Sequence, residues 1–217
     1  MIRHHKKTVF VFLFLVIVFS PNLLYSQVPT KIYIPVSRDH SWKEVAFDFS
    51  FWYAFLWASF LVGQHYHVKN LSWERFYKNT FEIGAVSYDK NSFTTNFIGH
   101  PLVGSEYYLY FRSRGYAPEW AMLNTLVVST MFEGLVESFN EPFSGIDFVV
   151  TPLLGVPIGV LREKWGLRLV NSENKYNRFI GHILYLETNL WFFEDVKVTP
   201  AIDTGTAFRG VILQAKF

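Results

Sequence analysis

The 217-residue sequence predicts a mainly α, membrane-associated helical domain followed by a short C-terminal antiparallel β segment. Three observations predict it. Phe, Tyr and Trp make up 19% of the chain while Asp, Glu, Lys and Arg make up only 18%, and a water-soluble domain of this size has little room to hide so many rings. Tyr and Trp suit a membrane interface, where an apolar ring meets a polar tip. Helix start and stop signals recur from Ser41 to Lys164, and beyond Gly166 the apolar pattern shortens to alternate residues.

The N-terminus reads as an export signal over residues 1–26. Arg3, Lys6 and Lys7 form a basic region, and Val9 to Phe19 is an unbroken apolar run of eleven residues. Eleven helical residues rise only about 16 Å, half of a hydrocarbon core of about 30 Å. That length suits a secretory signal rather than a stop-transfer helix. Leu24-Tyr25-Ser26 offers a cleavage point before Gln27; the alternative is an uncleaved anchor extended through Pro21 to Tyr25. Residues 27–165 are expected to form the helical domain and 166–217 the β segment.

Within the helical domain, residues 27–40 look extended. Ser41-Trp42-Lys43-Glu44 has the capping-box pattern, and Val45 to Val62 follows with Asp48 as its one charge before Gly63. Eighteen residues give about 27 Å of helix, enough either to cross a bilayer or to form a wholly buried core helix. Leu71 to Phe81 spaces Trp73, Phe76, Tyr77 and Phe81 helically, Gly84 ends it, and Tyr88 to Ser92 is turn chemistry. Pro101 to Arg114 is a helix with Pro101 at its first position and Gly115 as its stop; Pro118 opens another that runs to about Phe139. Thr151-Pro152 reads as N-cap and first residue of a short helix to about Lys164, kinked at Pro157. Strands are expected over Arg178–Glu187, Trp191–Val198 and Ala207–Phe217, with Asp203-Thr204-Gly205 as a turn.

Charge and cysteine narrow the function. The chain has 20 basic and 18 acidic residues, and removing the three bases of residues 1–26 leaves 17 against 18. No basic run suits a nucleic acid. The absence of cysteine excludes disulfides, thiolate metal sites and a cysteine nucleophile.

Polar residues recur every fourth position on three helices, which places each set near one face. One ladder is His100, Gly104, Tyr108 and Arg112; a second is Thr125, Ser129, Glu133, Glu137 and Glu141; a third runs from Asp147 and Thr151 into Gly155 and Gly159. Two glutamates one turn apart on an apolar helix repel each other and need a cation, a proton or donors when buried. His100, Glu133 and Glu137 are therefore the candidate proton-transfer groups. Arg112, Tyr108, Asp147 and Ser105 are candidate ligand contacts. The same set could instead be a buried ion-pair network in which Arg112 neutralises one glutamate, or a solvated stripe.

No metal is expected from spacing alone. One histidine with scattered carboxylates lacks the paired histidines of a zinc-protease helix, and His65-Tyr66-His67 reads as incidental. His182 reads as a packing histidine on a strand. There is no nucleophile elbow and no phosphate-binding loop, so no cofactor is implied.

The run Tyr88-Asp89-x-x-x-Phe93-x-x-Asn96-x-x-x-His100-Pro101-x-x-Gly104-Ser105-x-Tyr107-Tyr108, then Arg112-Ser113-x-Gly115-Tyr116, resembles a family of bacterial envelope proteins catalogued only as a domain of unknown function. The resemblance continues through Glu133, Glu137, Glu141-Pro142, Ser144-x-x-Asp147 and Thr151-Pro152 to Gly155. It implies a signal peptide and a β-rich outer-membrane part after the helices, but no activity. Phe132 stands where the family carries Trp, Val160 where an acid often follows the last glycine, and the β-rich tail is too short for a complete barrel.

The expected protein is an exported component of the cell envelope, in the outer membrane or on its periplasmic face, with the inner membrane as the alternative. A polar chamber between helices would give it a non-enzymatic lipid-binding or assembly role. The rivals are an acid–base or metal-assisted hydrolase of an envelope lipid or peptide, and an oligomeric pore subunit. Expected partners are membrane lipid and other envelope proteins, not nucleic acid, with self-association possible.

Overall fold

The computed structural model describes residues 37–63, 71–82, 91–185, 196–202 and 209–215. The expected leader, its cleavage point, residues 27–36, His65 and His67, Gly84, Tyr88 to Lys90, Trp191 to Asp195 and the 203–205 turn lie outside them. The described residues are mainly helical. They divide into two compact units, residues 37–164 and the described residues from Trp165 onward.

Helix α1 (Trp42–Gly63) starts where the capping box places it. The Ser41 N–H donates to Glu44 Oε2 at 2.9 Å and the Glu44 N–H to Ser41 Oγ at 3.4 Å. Helix α2 (Trp73–Phe81) is capped by Ser72, whose hydroxyl accepts from the Arg75 N–H at 3.1 Å. Helix α3 (His100–Ser113) is preceded by a π-helical turn, Thr95–Gly99. Pro101 has no N–H and its ring crowds the carbonyl of residue 97, and the widened turn accommodates both. Gly115 (φ 89°) ends α3: the Tyr116 N–H bonds the Phe111 carbonyl and the Gly115 N–H that of Arg112, which requires a left-handed residue between them.

Helix α4 (Pro118–Leu135) is shorter than the sequence suggests. The Ser138 hydroxyl donates to the Glu133 carbonyl at 2.6 Å, and the chain tightens into a 3₁₀ turn, Glu137–Phe139. Glu133 and Glu137 therefore do not share one regular helix. Helix α5 (Gly145–Val170) is longer than expected, 26 residues running through Pro152 and Pro157. Its N-cap is Ser144, whose Oγ accepts from the Asp147 N–H at 3.2 Å, so Thr151 lies inside the helix and does not cap it.

The second unit corrects the expected strand at Arg178–Glu187. Lys175–Leu184 is a helix, α6, started by Asn174, whose side chain accepts from the Tyr176 N–H at 2.9 Å. Tyr176, Phe179, Ile180 and Ile183 are exposed while Arg178, Gly181, His182 and Tyr185 are buried, a period of 3.6 rather than 2. Gly181 brings α6 against the end of α5: a Cβ there would lie within 3 Å of the Val170 side chain. Val196–Ile202 (β1) and Arg209–Ala215 (β2) run antiparallel, Val196 opposite Ala215.

Beside an apolar core that includes Leu56, Leu109 and Phe111, several faces of the first unit have inverted polarity. Asp48, Ser105, Arg112, Thr125, Glu133 and Asp147 are buried, whereas Phe47, Trp73, Trp120, Leu153 and Leu161 are each more than half exposed. Helix α4 shows the pattern most plainly. Its inward face is Ala121, Asn124, Thr125, Val128, Ser129 and Glu133; Trp120, Met122, Leu123, Leu126 and Val127 face outward.

Candidate functional site

Helices α3 and α5 form the seam on which the polar groups are arranged. Gly104 is so close to α5 that a Cβ there would overlap the Thr151 carbonyl oxygen, and a Cβ on Gly155 would lie 2.7 Å from the Gly104 Cα. A Cβ on Gly159 would strike the Tyr108 ring at 2.7 Å. The contacts advance along both helices together, so α3 and α5 run parallel, joined by small residues at spacing four. The expected ladder His100–Gly104–Tyr108–Arg112 faces this seam.

At the start of the seam three helices converge. His100 opens α3, Glu133 lies in the last turn of α4 and Asp147 in the first turn of α5. One donor atom from each lies within 4.8 Å of the other two, and His100 Nε2 is 3.6 Å from Asp147 Oδ1. Glu133 and Asp147 are buried at 1% exposure, while the His100 ring remains 18% exposed. Glu133 accepts from the Ser144 N–H at 3.3 Å, and the buried Glu137 carboxyl lies close by. Carboxylates that look scattered in sequence thus meet the histidine because the cap of α5 and the end of α4 lie at the same level.

Arg112 is not part of this corner. It lies twelve residues after His100, about 18 Å further along α3. Its Nε donates to both Glu163 oxygens at 2.9 and 3.1 Å, Nη2 lies 2.8 Å from Oε1, and Nη1 donates to the Tyr116 carbonyl. Tyr108 adds a hydroxyl to the same carboxylate at 3.0 Å. The expectation that Arg112 neutralises Glu133 or Glu137 is therefore corrected: its partner is Glu163. Spacing contained that residue, because Asp147, Thr151, Gly155, Gly159 and Glu163 form one unbroken ladder at intervals of four. The ladder as read from the sequence stopped at Gly159, one step before Glu163.

Ser105 also belongs to a structural network. Its hydroxyl donates to the Leu102 carbonyl at 2.7 Å and accepts from Arg162, which pairs with Glu106 at 2.6 Å. A hydroxyl held this way by its own helix is not poised as a nucleophile. Asp48 is fully buried and satisfied: Tyr110 and Tyr116 donate to it at 2.8 and 2.9 Å, and Arg114 Nε at 3.0 Å. His40 stacks on Tyr116 and hydrogen-bonds the Arg114 carbonyl at 3.0 Å, closing that end of α3. These aromatic donors carried no spacing signal, since they sit beyond the helix that carries Asp48.

The first unit is thus mainly helical, with many large apolar side chains exposed and a polar seam between α3 and α5. Residues 85–188 match the sequence profile of a family described as Domain of unknown function (DUF3943). The resemblance read from His100-Pro101-x-x-Gly104-Ser105 and its neighbours is thereby borne out. No curated protein and no solved structure matches the chain.

Proposed function

We propose that this protein is an exported component of the bacterial cell envelope whose helical unit is seated in a membrane, with a non-enzymatic role in lipid binding or assembly. The observation that carries the reading is the inverted polarity. Two helices are long and apolar enough to cross a membrane, Trp42–Val62 and Gly145–Val170, yet only 22% and 33% of their apolar windows are buried within the protein. A core helix of a soluble protein would be mostly covered. In a hydrocarbon phase the exposed leucines and phenylalanines need no partner, whereas Asp48, Arg112 and Glu163 must find theirs inside, as they do. The glycine seam fits the same medium, where close backbone approach replaces the hydrophobic drive between helices.

In this reading α1 to α5 form the membrane-seated unit. An N-terminal signal delivers the chain to the outer membrane or its periplasmic face. Fractionation of cells expressing the full chain tests the proposal. The protein should sediment with membranes, resist alkaline carbonate and begin near Gln27. A monodisperse protein in buffer without detergent would overturn the membrane seat, and an intact Met1 in the inner membrane would overturn the export route.

One observation favours a second reading, an acid–base or metal-assisted hydrolase: His100 and Asp147 approach to 3.6 Å beside Glu133, with the imidazole partly exposed. A proton-transfer pair needs this proximity. Loss of an envelope-lipid or peptide cleavage product in Glu133→Gln cells, with the protein still accumulating, would select it.

A further inference from the structure

We infer that His100, Glu133 and Asp147 form a binding site for one divalent transition-metal ion of the Zn²⁺ class, a site that does not depend on where the helical unit is seated. The donor set comes from three helices, so it exists only in the folded chain. Around a tetrahedral ion with bonds near 2.0–2.1 Å, neighbouring donors lie about 3.3 Å apart. His100 Nε2 and Asp147 Oδ1 already stand 3.6 Å apart, and all three donors lie within 4.8 Å of one another. Side-chain rotation, without movement of the helices, closes the remainder. An imidazole with two carboxylates suits zinc, and a site of oxygens alone would suit magnesium or calcium better.

The surroundings point to an ion as well. Ser144 donates its N–H to the Glu133 carboxylate, and its hydroxyl accepts from the Asp147 backbone N–H, which fixes the first turn of α5 that carries Asp147. Glu137, buried in the 3₁₀ turn that follows α4, is a further carboxylate near Glu133. An independent observation lies one turn along α5. The Thr151 hydroxyl is 97% buried and has no hydrogen-bond partner among the described residues. Thr151 faces the α3–α5 seam against Gly104, one turn from His100. Three protein donors leave a coordination position for water on that side, and such a water would satisfy the hydroxyl. The part-exposed His100 ring gives the ion its way in.

The test is calorimetric titration of Zn²⁺ into the full chain, purified without a histidine tag in detergent and stripped with a chelator. One equivalent should bind. His100→Gln and Asp147→Asn should each weaken binding by roughly tenfold or more. If either fails to fold, Glu133→Gln carries the test, since it removes a buried charge and keeps the shape; it too should weaken binding by roughly tenfold. Co²⁺ in place of Zn²⁺ should give the intense visible absorption of a low-symmetry protein site, lost in the same variants. Absence of stoichiometric binding to the wild type, or binding undiminished in folded variants, would overturn the site.

Discussion

Replacing Arg112 by alanine removes the guanidinium that holds Glu163, and the structure sets the size of the effect. Glu163 loses two charge-assisted contacts, from Nε and Nη2, and keeps only the Tyr108 hydroxyl. Each such bond contributes about 1.5–3 kcal/mol, and a buried charge stripped of its partner costs about 3–5 kcal/mol in all. Both side chains are close to nine-tenths buried, so solvent screens little of this. Adding Glu163→Gln should recover part of the loss, because the amide carries no charge to strand. A coupling of about 2–3 kcal/mol should appear in the double-mutant cycle. The assay is reversible unfolding by a denaturing detergent, followed by Trp fluorescence, for wild type, both single variants and the double variant. Arg112→Ala with Glu133→Gln serves as the second cycle and should be additive within about 0.5 kcal/mol, since the two sites lie far apart. Coupling to Glu133 with none to Glu163 would refute the assignment of partners. Small additive effects throughout would mean that the seam is hydrated.

Other perturbations separate the seam from its surroundings. Gly104→Ala drives a Cβ into the Thr151 carbonyl and should destabilise by about 1–3 kcal/mol or more, while Gly134→Ala, whose Cβ meets nothing within 4 Å, should be neutral or stabilising by up to about 1 kcal/mol; equal effects in thermal unfolding would deny the close approach of α3 and α5. Burial pushes the His182 imidazole down to about 4, with the Arg178 charge acting in the same direction. Helix α6, at ten residues and about 15 Å, is too short to cross a bilayer, so His182 titrates against water. The neutral ring is favoured in the fold, so its contribution is complete above about pH 6.5 and is lost as pH falls towards 4, with a slope of at most about 1.4 kcal/mol per unit. His182→Gln should flatten that part of the stability profile, and an unchanged slope would place the titration elsewhere. Asp48→Asn leaves two tyrosine hydroxyls and Arg114 facing an amide and should cost about 1–3 kcal/mol in the same unfolding assay, against almost nothing if Asp48 were solvated.

Helix starts were legible where a short polar side chain closes its own turn. Ser41 with Glu44 sets the beginning of α1, and Pro101 and Gly115 bracket α3 nearly to the residue, because these signals are local. Ser144-x-x-Asp147 was equally local, but Thr151-Pro152 offered a competing start. Inside α5 the neighbouring helix compensates for the proline: Thr151 packs against Gly104 and the helix continues through Pro152. The strand expected at Arg178 fails for a related reason. An alternating pattern assumes that apolar means inward, and on α6 the apolar residues face outward, so the true period appears only when Arg178, Gly181, His182 and Tyr185 are read as the buried face.

That reversal also explains why the ladders were right and their pairing was not. Spacing of four identifies which residues share a face, and the faces of Thr125–Ser129–Glu133 and His100–Gly104–Tyr108–Arg112 are indeed the buried ones. Spacing does not say at which height two helices meet. Spacing alone grouped all four residues, although in the α3–α4 hairpin His100 meets Glu133 at the far end while Arg112 lies near the connection. The glycines of α5 settle the matter differently: Gly155 on Gly104 and Gly159 on Tyr108 fix a parallel register. In that register Asp147 must fall beside His100 and Glu163 beside Arg112, because both pairs lie within about one turn of the glycine contacts. The acidic corner and the ion pair are thus consequences of one packing decision. A change that shifts α5 by a turn should exchange both partners at once.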